Sequence, residues 1–255
     1  MCLILFSWKK HENYKLILAA NRDEFYNRPT LPASFWKENQ NILAGKDLTG
    51  GGTWMGISKT GKIAMLTNYR DLTNLKPNAP SRGHLVSDYL TENTNSSTYL
   101  NLIASRDNEY NGYNIIVGDL DSLHYHSNYK TGQEPISEGI HGLSNHLLNS
   151  PWPKVDTGKQ QLSEIIANEK FNSNDLMEIL FDDRIATDDL LPDTGVGIEK
   201  ERMLSPLFIK SPVYGSRSST VILVDWNNQV TFIERTYNLD NFSFEEVNFG
   251  FPIPT

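Results

Sequence analysis

Two short apolar runs open the chain, residues 2–8 and 14–20, parted by the polar string Lys9-Lys10-His11-Glu12-Asn13. Each has the length of a strand, and the break between them reads as a hairpin turn. A polar, Pro-containing stretch, 21–53, follows and ends in Thr49-Gly50-Gly51-Gly52-Thr53. A second hairpin is predicted from Trp54 to Ser58 and Lys62 to Asn68 across a Lys-Thr-Gly turn. Helical spacing then takes over at 83–94, where Leu85, Val86, Tyr89 and Leu90 share a face, and at 97–107, through Leu100, Ile103 and Ala104. Strand-like runs return at 113–118, 122–127 and 136–143, followed by helical patterns at 154–169 and 173–181. An irregular acidic stretch, 182–200, leads to a last hairpin, 219–226 with 229–235, turned at Asn227-Asn228. The final twenty residues read as irregular. Strand pairs, then helix pairs, then strand pairs predict an α+β fold rather than a parallel βαβ sheet, with the first strand inside its sheet and not at an edge. Without repeats or linkers, the whole of 1–255 is expected to be a single domain.

Composition supports a folded chain: 38% of the residues are hydrophobic and 11% aromatic. The formal charge of −8, from 23 basic and 31 acidic residues, argues against nucleic-acid partners, which require a basic stripe. No apolar run is long enough to cross a bilayer, and the first residues do not read as a secretory signal. The expected location is the cytoplasm, without stable membrane insertion. A single cysteine rules out an intrachain disulfide and a cysteine-based metal centre.

That cysteine is residue 2. Removal of Met1 would leave a thiol and a free α-amine on one residue. With an ordinary pKa of about 7.7–8.0, the amine can take the thiol proton near neutral pH. An N-terminal amine serves threonine nucleophiles in the same way. The competing reading of Cys2 is a small buried hydrophobe at the start of a strand. The charged string Asn21-Arg22-Asp23-Glu24 follows the second run directly. If the two runs form a hairpin, this string returns beside Cys2. A carboxylate there can hold the α-ammonium, and an arginine can depress the thiol. The competing reading is a solvated charged turn.

The strings Cys2, Asn21-Arg22-Asp23-Glu24, Gly51-Gly52-Thr53-Trp54-Met55-Gly56-Ile57 and Leu66-Thr67-Asn68-Tyr69-Arg70 together resemble the NRDE-motif family, also called the transport-and-Golgi-organisation family. The likeness continues through Gly142-Leu143-Ser144-Asn145, Pro151-Trp152-Pro153-Lys154-Val155, Leu191-Pro192-Asp193-Thr194-Gly195-Val196 and Tyr214-Gly215-Ser216-Arg217-Ser218-Ser219-Thr220-Val221. The wider kinship is similar to cysteine-type N-terminal-nucleophile hydrolases such as bile-salt hydrolases and penicillin V acylases. That resemblance implies a four-layer αββα sandwich and cleavage of linear amides. It also implies a catalytic set in which Cys2 is the nucleophile, Asp23 holds the amine, Asn68 positions substrate, Asn145 steadies the oxyanion and Arg217 is a late active-site arginine. All five would then line one cleft. Arg22, Asn21 and Trp54 are the expected substrate contacts, although Arg22 stands one register away from the related enzymes' arginine.

Two functional classes follow. One is a cysteine amidohydrolase or acyl transferase acting on a linear amide or thioester. The other is a non-catalytic carrier of haem or lipid on the same scaffold. No resident cofactor is expected for the enzyme. Gly50-Gly51-Gly52 lacks the Lys-Ser/Thr of a phosphate loop. His124 and His126 share a strand face but lack a third ligand, so no metal site is expected. The acidic residues Asp182, Asp183, Asp188, Asp189 and Asp193 lack the spacing of a calcium loop.

Overall fold

The computed structural model describes residues 2–168 and 170–254, which form two compact units. The first comprises residues up to 27, 138–144 and 148–250, and the second 28–137, 145–147 and the last few residues from Phe251. Both are antiparallel sheets with helices on one face, the α+β layering that the strand and helix order predicts.

The first unit is built on a six-stranded sheet in the order β10-β1-β2-β11-β12-β13. Its members are β1 (Cys2–Trp8), β2 (Tyr14–Phe25), β10 (Gly139–Leu143), β11 (Tyr214–Asp225), β12 (Gln229–Tyr237) and β13 (Phe244–Pro252). β1 lies between β10 and β2, an interior position as expected. All seven of its residues are buried, which is why the sequence shows a nearly continuous apolar run, interrupted only by Ser7, in place of alternation. Odd-numbered residues Leu3, Leu5, Ile17 and Ala19 pack under α3 (Pro153–Ile166) and α4 (Ser173–Leu180), together with Val155, Leu162, Leu176 and Leu180. Helix α3 lies close to β1: a Cβ on Gly158 would stand 2.6 Å from Leu5 Cδ1.

The second unit is a seven-stranded meander, β3 to β9 in sequence order. It comprises β3 (Thr30–Phe35), β4 (Ile42–Asp47), β5 (Met55–Ser58), β6 (Ile63–Asn68), β7 (Tyr113–Gly118), β8 (Leu123–Ser127) and β9 (Gln133–Pro135). α1 (Gly83–Thr91) and α2 (Ser96–Ala104) sit between β6 and β7 and cover Ala44, Ala64, Leu66, Ile115 and Val117. The triple glycine is a close-approach turn. Gly52 has φ +67°, and a Cβ there would lie 2.5 Å from the Gly83 carbonyl oxygen at the start of α1.

Several elements differ from the sequence reading. The polar stretch 21–53, to which the sequence assigns no element, holds the end of β2 and all of β3 and β4. The acidic stretch and its sequel contain α5 (Ile198–Leu204), and the C-terminal region forms β13. The run 136–143 narrows to β10, with β9 before it.

His124 and His126 take local partners. His124 Nδ1 is 2.9 Å from Ser96 Oγ, and His126 Nε2 is 3.0 Å from Asp107 Oδ2. Burial alone would push His126 down, but the Asp107 carboxylate and the Gly132 carbonyl outweigh it and raise the imidazole above its ordinary value. A raised folded-state pKa contributes stability fully below the unfolded value of about 6.5, and that contribution disappears as pH rises through the folded value. Urea midpoints of the native protein should therefore fall more steeply from pH 6 to 9 than those of His126→Gln. Parallel curves would show that this pair adds no linkage.

Candidate active site

The register of the first hairpin builds the site. Cys2 pairs with Arg22 and Leu3 with Asn21. Directly opposed residues in a ladder share a face, and alternation places Asn21 and Asp23 on the other one. Cys2 and Arg22 thus project together, while Asn21 and Asp23 project towards the helix layer of Leu3 and Leu5. The charged string does return beside residue 2.

Residue 2 is held from three directions. Its strand pairs with β2, its carbonyl accepts a bond from Ser144 Oγ at 3.1 Å, and its sulfur accepts from the backbone N–H of Asp23. It is 8% exposed. Burial pushes the thiol up, with the Asp23 charge adding to the rise, against the lowering influence of Arg22. Depression by neighbouring cations, expected from the sequence, is thus outweighed by desolvation. Burial holds the thiol above the ordinary cysteine value.

Asp23 is 1% exposed. Its Oδ1 accepts from Ser216 Oγ at 2.6 Å, and its backbone carbonyl accepts from Tyr214 Oη at 3.1 Å. Burial raises its carboxyl, opposed chiefly by the positive charge of Lys154. Arg22 is 8% exposed, and its Nη2 lies 3.8 Å from Glu24 Oε2 on the same face.

The Asn21 side chain is bonded within the protein interior. Its Nδ2 donates to the carbonyls of Leu180 and Leu207 at 2.7 and 2.8 Å, and its Oδ1 accepts from Ser219 Oγ at 2.5 Å. Tyr237 Oη donates in turn to Ser219 Oγ at 2.9 Å. The side chain clips β2 to the end of α4 and the loop before β11.

Arg217 sits at a bulge. Ser216 pairs with Asp23 and Ser218 with Arg22, so Arg217 is the extra residue of β11. Its Nη1 donates to the carbonyls of Phe25 and Tyr26 at 3.1 and 3.2 Å, closing off the end of β2.

The remaining expected residues belong to the second unit. Asn145 is fully buried, donates from Nδ2 to the Asn68 carbonyl at 2.9 Å, and accepts the Arg70 N–H on its own carbonyl at 2.8 Å. Asn68, half-buried, ends β6 opposite Tyr113. Trp54, also half-buried, precedes β5, and its carbonyl accepts the Leu66 N–H at 2.8 Å. The structure thus brings Cys2, Arg22 and Asp23 together, with Arg217 at the near end of the same strand pair, and joins Asn68 with Asn145. Sequence reasoning gave no role to Lys154 or Ser216. Both lie inside the quoted strings, but nothing local marks them as neighbours of Asp23.

The family model described as Transport and Golgi organisation 2 matches residues 1–239. The Transport and Golgi organization 2 homolog of Mus musculus is 39% identical, with 92% of this chain and 93% of the mouse protein covered. The Drosophila melanogaster Transport and Golgi organization protein 2 is 32% identical, with 92% of each covered. Among solved structures, the Caenorhabditis elegans N-acylethanolamine-hydrolyzing acid amidase ortholog superposes with a TM-score of 0.49 at 12% identity, covering 87% of this chain and 92% of its own. The matched span and the level of identity place this chain in the Transport and Golgi organisation 2 family.

Proposed function

We propose that the chain is an N-terminal cysteine hydrolase acting on a linear amide or a thioester. The supporting observation is the anchoring of residue 2 in an interior strand, one rung from a buried carboxylate that accepts from Ser216 and feels Lys154. A carboxylate so enclosed suits the α-ammonium that appears when Met1 is removed.

In the proposed cycle the free α-amine of Cys2 takes the thiol proton as sulfur attacks the substrate carbonyl carbon. Collapse of the tetrahedral adduct breaks the C–N or C–S bond, and the proton passes to the departing amine or thiol. Water, deprotonated by the same α-amine, then cleaves the thioester and releases a carboxylic acid and the restored thiol. A thiol held above its ordinary value fits this scheme, because the base is supplied by the nucleophile's own residue.

Intact mass spectrometry and single-turnover assays on native material test the reading together. The expected result is a chain lacking Met1 that releases a chromogenic leaving group in a burst of about one equivalent from an acyl anilide or acyl thioester. Retention of Met1 in the native protein would remove the base and sink the proposal. So would a Soret band on haem titration of a protein whose thiol is inert to iodoacetamide, the outcome a carrier would give.

A further inference from the structure

The first turn of α3 carries a residue that local physics disfavours. Lys154 is the second residue of that helix, after Pro153, and is 3% exposed. A cation there meets the positive end of the helix dipole, and an ammonium withdrawn from water needs an opposing charge. Conflicts of this kind between a local rule and the native position concentrate at functional sites. Lys154 is the cation that acts most strongly on the Asp23 carboxylate, ahead of Arg22.

The backbone fixes the proton role of the second neighbour. Ser216 Oγ accepts from the Ile209 N–H at 2.9 Å and donates to Asp23 Oδ1 at 2.6 Å. An amide N–H can only donate, so the single hydroxyl proton is directed at Asp23, whose Oδ1 is held as an acceptor. Ser216 is itself fully buried, and its own N–H bonds the Ile209 carbonyl at 2.9 Å, so the hydroxyl has a fixed origin. Among the described residues, the other titratable or charged groups around Asp23 are Cys2 and Arg22 on the β1–β2 ladder, and Tyr26, which feels its charge; the chain's N-terminal charge also lowers the Asp23 carboxyl.

We propose that Lys154 and Ser216 are positioning residues that keep Asp23 an oriented carboxylate aimed at the α-ammonium of residue 2. The inference rests on the hydrolase reading for its purpose, but not for its test. Lys154 touches neither substrate nor the reacting sulfur in this scheme. It offsets the cost of burying the Asp23 charge, and Ser216 sets the carboxylate plane.

The experiment is a carbon-13 titration of the Asp23 carboxyl in the full chain without substrate, with the resonance assigned by Asp23→Asn. Lys154→Met should raise the Asp23 midpoint by about one unit or more, and Lys154→Arg should restore it to near the native value. A packing role alone would leave the midpoint where it was, and that result overturns the proposal. If Lys154→Met does not fold, Ser216→Ala decides: an upward shift supports the pair and an unmoved midpoint overturns it. A shifted midpoint in a protein that forms no acyl-enzyme would keep the positioning pair and sink only the hydrolase reading.

Discussion

Cys2→Ser should lose at least ~10³-fold in kcat/KM on any acyl substrate the native protein turns over. A hydroxyl is far less acidic and less nucleophilic than a thiol, so the same α-amine readies it much less well at a site shaped around sulfur. Iodoacetamide labelling should fall from one equivalent to none, because the chain has a single cysteine. Stability should change little. The Ser144 bond goes to the backbone carbonyl of residue 2, and a serine oxygen can take over the Asp23 N–H that the sulfur accepts. Activity within tenfold of native would place the chemistry elsewhere in the chain.

The largest stability effect is expected at Asn21. Asn21→Ala removes the partner of the Leu180 and Leu207 carbonyls and of the Ser219 hydroxyl, all in the buried layer between β2 and the helices. A buried polar group left unsatisfied costs about 1–3 kcal/mol, and the network is not additive, so a total loss of about 3–5 kcal/mol is expected. For a chain of this size that lowers Tm by roughly 10 °C. Asn21→Asp should be no better, because it turns a donor into an acceptor facing two carbonyls. Chemical denaturation of both variants checks this. A loss under 1 kcal/mol in Asn21→Ala would mean that the clip is not holding the layers.

The first hairpin was legible because its signals agree: two apolar runs, a polar break and a charged string at the far end. Its register follows from the turn, and with it the pairing of Cys2 with Arg22. The strands that escaped notice lack such agreement. β3 contains Pro32 and an exposed Leu31, and its register with β4 slips between Leu31 and Ser34. β13 is an edge strand with no fully buried position, so it shows no apolar stripe to read. Helix α5 spans seven residues, too few for a period of 3.6 to repeat clearly. β11 extends back to Tyr214 from the expected start at 219, because Gly215, Ser216, Arg217 and Ser218 supply no apolar run although most of that stretch is buried.

The same distinction holds within the site. Cys2 and Asp23 announce themselves by position, one at the second residue and one in the charged string just past a predicted strand. The neighbours of Asp23 do not, since Lys154 and Ser216 arrive from elements more than a hundred residues away in sequence. Asn21 shows the reverse case. Its place in the charged string suggested a substrate contact, while its three bonds are all to the protein's own interior.

The bulge in β11 makes position 217 the one residue of that segment the ladder does not need. Closing it by a single-residue deletion would leave Ser216 opposite Asp23 and Ser218 opposite Arg22, as they already are. Sheet pairing therefore places little demand on what stands there, in contrast to the serines on either side. Shortening the Arg217 side chain would therefore cost the sheet little beyond its bonds to the Phe25 and Tyr26 carbonyls, while Asp23 keeps its rung opposite Ser216.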